Sequence, residues 1–277
     1  MLQHLIASTL WSLAVRDTVK ALQAVADLGF KAVHFTFMED SDAEPENLER
    51  IRRTLRRTGL AVPAGMVAFE GEDYSTIASI RRTGGIVDPA VFPERLERCH
   101  RWGKAMAGLG IRHVTTHAGF LPEPHEPHYA AVCGRLGQVA DALHAAGLTV
   151  GLETGQEPAR LLTRILDDLG RDFLSVNFDA ANFVLYGSDD PVAAARLLAP
   201  RVTMVHMKDG TRSDRPGEVW GEDVPLGTGH VDFAAVLRTL EAGGFTGALI
   251  IEREAGNNRL GDLAAGKKFI ENLLAKA

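Results

Sequence analysis

The chain has 277 residues, 45% of them hydrophobic, with a formal net charge of -6. That is ample material for a core, and the acidic balance, with a pI of about 5.9, excludes the basic surface expected of a nucleic-acid binder. Its two cysteines, Cys99 and Cys133, fall in separate helix-like segments, which speaks against a disulfide framework or a cysteine zinc site and suits a reducing, cytoplasmic setting.

Residues 2–11 lack the basic flank of a secretory signal and are soon followed by Arg16 and Asp17, so they read as a first strand, over 5–10. A helix over 17–28 closed by Gly29, a strand over 32–37, a helix over 46–58 closed by Gly59 and a strand over 60–67 follow. A long segment, 68–92, precedes a helix over 93–109 closed by Gly110 and a strand over 111–117. Next come a helix over 128–146 closed by Gly147, a strand over 148–153 and a helix over 158–169 closed by Gly170. Three further units end in a helix around 260–274. Glycine just past a helix supplies its left-handed cap, and short links suit a βα repeat. No run of ~18 apolar residues predicts a membrane span. Eight strands alternating with eight helices predict an α/β fold: a single (β/α)8 TIM barrel over 1–277 with an extended loop after strand 3. A doubly wound open sheet is the alternative, but it would gather its ligands at one switch point.

Four apolar runs in the second half each end in a residue able to bind a metal: Leu148 to Glu153, Leu174 to Asp179, Val202 to His206 and Ala248 to Glu252. Such runs read as buried parallel strands, and barrel chemistry sits at the C-terminal ends of strands. Three carboxylates and an imidazole meeting there would suit Mn, Co, Mg or Zn, and without a cation they would repel. Salt bridges to Lys208 or Arg253 are the competing account of each.

The segments Phe178-Asp179-Ala180-Ala181-Asn182, Val205-His206-Met207-Lys208-Asp209, 224–233 and Ile251-Glu252-Arg253-Glu254 resemble the sugar phosphate isomerase/epimerase family of xylose isomerase-like TIM barrels. The likeness runs from about Leu60 to the end and includes Leu152-Glu153-Thr154-Gly155-Gln156-Glu157 and Arg81-Arg82-Thr83-Gly84-Gly85. It implies one divalent metal ion held by Glu153, Asp179, His206 and Glu252, no organic cofactor, and a dimer or tetramer. It also implies an isomerase or epimerase of a sugar, sugar phosphate or polyol ketone, working through a metal-stabilised enediolate. Glu153 and Glu252 would then move protons on the two faces of the substrate. A dehydratase of inosose or a dehydroshikimate-like keto compound would use the same parts. Asn182 stands where ketose 3-epimerases usually carry histidine, which weakens transfer of their substrate preference.

Six further assignments come from position. His117 ends the fourth strand and is a second catalytic candidate; Lys208, two residues past His206, would steady an enediolate or a phosphate. Asn182, Gln156 and Arg212 are expected to contact substrate, as is Arg82, which with Arg81 could grip a phosphate bidentately; the segment 68–92 reads equally as a lid or as a surface excursion packed on a second subunit. Gly227-Thr228-Gly229 lacks the pattern of a phosphate loop and reads as a turn into a helix capped by Asp232. An abasic-site endonuclease on this barrel would need more histidine ligands and a basic face. A non-enzymatic sugar binder would not need both Glu153 and Glu252. The partner expected is a small carbohydrate, with no nucleic acid and no membrane.

Overall fold

The computed structural model describes residues 4–276; residues 1–3, where the N-terminal stretch begins, and 277 lie outside it. Eight parallel strands close into a barrel: β1 (Ile6–Thr9), β2 (Ala32–Phe35), β3 (Ala61–Met66), β4 (His113–Thr116), β5 (Thr149–Glu153), β6 (Leu174–Asp179), β7 (Val202–Met207) and β10 (Ala248–Ile251). β10 hydrogen-bonds to both β7 and β1, so no edge remains in this sheet. Around them lie α1 (Thr18–Asp27), α2 (Pro45–Thr58), α4 (Phe92–Gly108), α5 (Tyr129–Ala145), α6 (Ala159–Leu169), α8 (Pro191–Leu198), α9 (Phe233–Ala242) and α10 (Arg259–Ala275). The open-sheet alternative is therefore excluded.

Strict alternation is corrected in three places. The segment after β3 contains a short helix, α3 (Ile77–Thr83), and β6 is followed by α7 (Ala180–Tyr186) before α8. After β7, a two-stranded ribbon of β8 (Asp209–Gly210) and β9 (Asp223–Val224) projects before α9. Short runs of this kind are too brief to show a period, and all three insertions sit at the C-terminal rim.

The period-two pattern of each strand decides what faces the axis. On β5, Val150 and Leu152 join the large core between sheet and helices, whereas Glu153 faces the site. A small cluster of Ala7, Ala32, Ala64, Met204, Ala248 and Ile250 forms a separate buried group among the strands. The arginine-rich α2 buries Ile51 and leaves its arginines half-exposed or exposed, as an outer barrel helix should.

The 68–91 segment is fastened rather than loose. Buried Arg95 of α4 donates to the carbonyls of Glu70 (3.0 Å), Thr83 (2.8 Å) and Gly85, and Arg98 pairs with Glu70 at 2.6 Å and Asp40 at 3.0 Å. Gly85 has a φ of +62°, and a Cβ there would lie 2.0 Å from the Ala118 carbonyl. Gly85→Ala is therefore expected to destabilise the protein by ~1–3 kcal/mol, measured by urea unfolding. An unchanged midpoint would show that the segment can shift to make room.

Candidate metal centre and the cavity above it

Register brings the four strand-end residues together. Asp179 of β6 lies beside His206 of β7, and Glu153 of β5 beside Asn177. A register shift between Val176 and Asn177 sets that alignment. Glu252 follows β10 directly. One ligand atom from each of Glu153, Asp179, His206 and Glu252 lies within 4.8 Å of the others.

His206 turns Nδ1 to the carboxylates, 2.8 Å from Glu153 Oε1 and 3.4 Å from Glu252 Oε2. Its Nε2 faces His34 Nδ1 at 3.0 Å and the Asn177 amide at 3.2 Å. Burial, reinforced by the charge of His206, holds His34 well below the usual histidine range. Neutral His34 can thus accept at Nδ1 while Nε2 donates to Thr115 Oγ1 at 3.1 Å. Such a backing chain fixes which nitrogen a ligating histidine presents. Asn177 completes it when Oδ1, otherwise unpartnered, is the atom turned to Nε2.

The carboxylates differ. Asp179 is fully buried; its Oδ1 caps α7 by accepting from Ala181 and Asn182, and its Oδ2 has no hydrogen-bond partner. Burial drives its pKa well up, only partly opposed by Lys208. Glu252 accepts from Trp11 Nε1 at 2.7 Å and lies 3.2 Å from Lys208 Nζ. Burial pushes it upward too, but Lys208 and His206 outweigh that and hold it ionised far below the usual range. Glu153 is engaged through Oε1 alone among the described hydrogen bonds. An orphaned buried carboxylate oxygen beside two further carboxylates and an imidazole nitrogen is a donor set that fits a hard divalent cation.

Lys208 lies just past β7, not on it, yet its Nζ reaches Glu252, Asp179 (3.9 Å) and, in a short bond, Glu254. The ion pair with Glu252 is the salt bridge the sequence offered as the competing account, whereas the adjacent Asp209 is spent elsewhere. Buried Asp209 accepts from the backbone nitrogens of Gly227 (2.9 Å), Gly229 (2.8 Å) and Val231 (3.3 Å). The glycine turn is thus closed on a carboxylate, and Asp232 caps α9 as expected.

Above the four residues lies a cavity of about 630 Å³, lined by Glu153, Glu252, Lys208, His117, Gln156 and Asn182 among others. Asn182 Nδ2 is anchored on the Thr154 carbonyl at 2.9 Å, and Gln156 reaches the Tyr186 hydroxyl at 3.4 Å. Arg82 and Arg212 do not line the cavity. Arg82 is exposed and donates to the Ala78 carbonyl, its neighbour Arg81 lies over the Phe120 ring, and Arg212 is exposed on the ribbon loop. Glu157 is buried outside the lining, and burial raises it to about 8.

Sequence reasoning missed the partners of His117. Its Nε2 lies 3.0 Å from Glu72 Oε2 and 3.1 Å from the Tyr74 hydroxyl, both from the segment after β3. Glu72 is itself held by the Gly85 backbone nitrogen at 2.7 Å. Burial alone would lower His117, but the Glu72 charge and hydrogen bond raise it to about 9. A histidine raised on folding stabilises fully below its unfolded pKa of about 6.5 and loses that contribution as pH rises through its folded value. Glu157, also raised, loses stability in the same direction. Metal-free protein is therefore expected to be less stable at pH about 10 than at pH about 6, by a few kcal/mol. The gap should shrink in His117→Gln, as read from denaturant midpoints; equal gaps in both proteins would refute the ion pair. Trp11, His34, Asn177 and Glu254 were also missed. Strand alternation in Ala32-Val33-His34-Phe35 was the one usable signal, since it puts His34 on the inner face.

A family model described as xylose isomerase-like TIM barrel matches residues 22–273. Among curated proteins, an L-ribulose 3-epimerase of Mesorhizobium japonicum is 24% identical over 261 residues, covering 89% of this chain and 80% of that one. A solved xylose isomerase domain protein from Planctomyces limnophilus superposes with a TM-score of 0.87 at 29% identity, covering 98% of this chain and 96% of that one. A xylose isomerase-like TIM barrel protein from Mycobacterium smegmatis, solved in complex with magnesium, shares the fold with a TM-score of 0.75 at 19% identity, covering 99% and 97% of the two chains. Among the described residues, no helix is long and apolar enough to cross a membrane.

Proposed function

The chain belongs to the xylose isomerase-like TIM-barrel family, and from that premise we propose that it is a divalent-metal-dependent epimerase or isomerase of a carbohydrate ketone, acting as one barrel domain. The observation that carries this reading is the convergence of Glu153, Asp179, His206 and Glu252 on one point at the cavity floor, with Asp179 Oδ2 buried, without a hydrogen-bond partner and 3.9 Å from Lys208 Nζ. A divalent ion held by these four would polarise a ketone and neutralise the charge that develops as the adjacent C–H ionises. Glu153, with one oxygen uncommitted, is the better proton acceptor. Glu252, kept ionised by Lys208 and His206, returns a proton less readily and serves first to orient. Lys208 adds positive charge beside the developing oxyanion.

His117 supports a second reading. An imidazolium held by Glu72 on the cavity wall is placed to protonate a departing hydroxyl, which would make the reaction a dehydration. Incubating manganese-loaded protein with a panel of ketoses and cyclic hydroxy-ketones in D2O separates the two. Epimerisation or isomerisation predicts deuterium next to the carbonyl in a product of unchanged composition. Dehydration predicts a product lighter by one water. No exchange and no product with any ketone would overturn both.

A further inference from the structure

An ammonium already stands on the four-residue floor. Lys208 is 5% exposed, and its Nζ lies 3.2 Å from Glu252 Oε2 and 3.9 Å from Asp179 Oδ2. The other oxygen of each carboxylate is committed. Glu252 Oε1 accepts from Trp11 Nε1 at 2.7 Å, and Asp179 Oδ1 accepts from the backbone of Ala181 and Asn182 in the first turn of α7. The oxygens left for a divalent ion are therefore the two that Lys208 faces. No other lysine and no arginine lines the cavity, and the aromatic side chains of Tyr74, Tyr186 and Trp220 there carry no charge. His117, the other cationic group on the wall, is paired with Glu72. The carboxylates around Lys208 keep it an ammonium in spite of burial, so an incoming dication meets a like charge beside its ligand oxygens.

A second acceptor for that ammonium lies outside the ligand set. Glu254 Oε2 makes a short bond to Nζ, its side chain is half-exposed, and among the described residues Lys208 is its one ion-pair partner. The backbone that carries it is fixed, because Glu254 N and Ala255 N donate to Asp223 Oδ2 at 2.8 Å and 3.1 Å. Arg253, the nearest cation in sequence, is spent on Asp223 at 2.5 Å and Asp262 at 2.9 Å. Glu254 thus offers a wetter position where the ammonium keeps an ion pair while leaving the floor. Lysine is suited to that movement, being a compact charge on a flexible four-carbon stem.

Resting on the reading of the floor as a metal site, we propose that Lys208 is a built-in counter-cation that competes with the divalent ion for Glu252 and Asp179 and withdraws onto Glu254 alone when the ion binds, so that Glu254, which is no ligand, helps to set the affinity. The test is calorimetric titration of manganese chloride into chelator-stripped full-length protein near neutral pH. Lys208→Met, close in length and uncharged, should bind manganese about tenfold more tightly than wild type or better. Its ion-free melting temperature should fall, because the carboxylates lose their internal counter-charge. Glu254→Gln should bind manganese about tenfold more weakly, since the ammonium then has nowhere else to pair. In the Lys208→Met background the same change should cost no more than about threefold, as expected when the two residues act as a unit. A crystal structure of manganese-loaded wild type reads the movement without any variant: Nζ should stay on Glu254 and lie beyond about 4 Å from Glu252 Oε2. Weaker manganese binding by Lys208→Met, an equal cost of Glu254→Gln in both backgrounds, or Nζ still on Glu252 Oε2 in the loaded crystal would overturn the inference and leave the metal site in place. No manganese bound by wild type or by any variant would remove the metal site itself, and the inference with it.

Discussion

Glu153→Gln is expected to lower kcat on a ketone substrate by about 10³-fold or more, within the range of a lost acid–base group. Both of its proposed roles fail in the variant. The amide cannot take up the proton, and it replaces a carboxylate ligand oxygen 2.8 Å from His206 Nδ1 by a neutral amide. Saturating the variant with manganese separates the roles. If the loss were only of metal, excess ion would restore most of the rate. The proposed role as proton acceptor predicts that a large defect persists at full occupancy. Glu252→Gln makes a useful contrast. Its carboxylate is tied by Trp11 and Lys208, so removing its charge leaves Lys208 less well paired and should cost stability as well as rate. Activity of Glu153→Gln within tenfold of wild type would contradict the assignment.

The second large effect has opposite signs in the two states of the site. Asp179→Asn is expected to weaken divalent-metal binding by about 100-fold or more, since even the outer partners of metal ligands are worth about 10–100-fold. The same substitution should raise the stability of the metal-free protein. Asp179 is buried with one oxygen lacking a hydrogen bond, two carboxylates nearby and Lys208 Nζ no closer than 3.9 Å, so its ionised form is costly there. Asn keeps the shape and the cap on α7, where Asn and Asp rank equally, and removes the charge. The linkage follows from the upward shift. A carboxyl raised on folding contributes stability below its unfolded pKa and loses it as pH rises through the folded value, so the metal-free gain from Asn should be small in acid and largest at neutral pH and above. Thermal melts with and without manganese read both signs. A variant less stable than wild type when both are metal-free would show that Lys208 already compensates Asp179 in full.

Much of this was legible in the chain because barrel strands carry a simple code. A buried run ending in Glu, Asp or His places that residue at the rim, and four such runs in succession can converge only if the sheet closes. The code covers residues whose position follows from one strand. It does not cover side chains that reach the site from inserted loops. Glu72 and Tyr74 meet His117 only because Arg95 and Gly85 fold the segment after β3 back against Ala118. Nothing in local propensity encodes that. Trp220 arrives through a ribbon of two-residue strands, below the length at which alternation can be read. Arg82 and Arg212 lie elsewhere. Arginines in rim segments suggest anion contacts, yet both are exposed outside the cavity. Lys208 shows a pairing read in part: its ion pair with Glu252 was legible, whereas Asp209, next in sequence, turns away to hold the 227–231 backbone, and Glu254, just beyond β10, adds a partner that no strand pattern announces.

The central claim is that Glu153, Asp179, His206 and Glu252 form a single divalent-metal site. Metal content of the purified protein, determined by elemental mass spectrometry before and after dialysis against chelator and reloading, tests it most directly. The account predicts close to one Mn, Co, Mg or Zn per chain in the loaded wild type and a sharp fall in Glu252→Gln prepared the same way. No metal in the wild type, and none retained after loading, would contradict it and leave a barrel whose carboxylates are balanced by Lys208 and His206 alone.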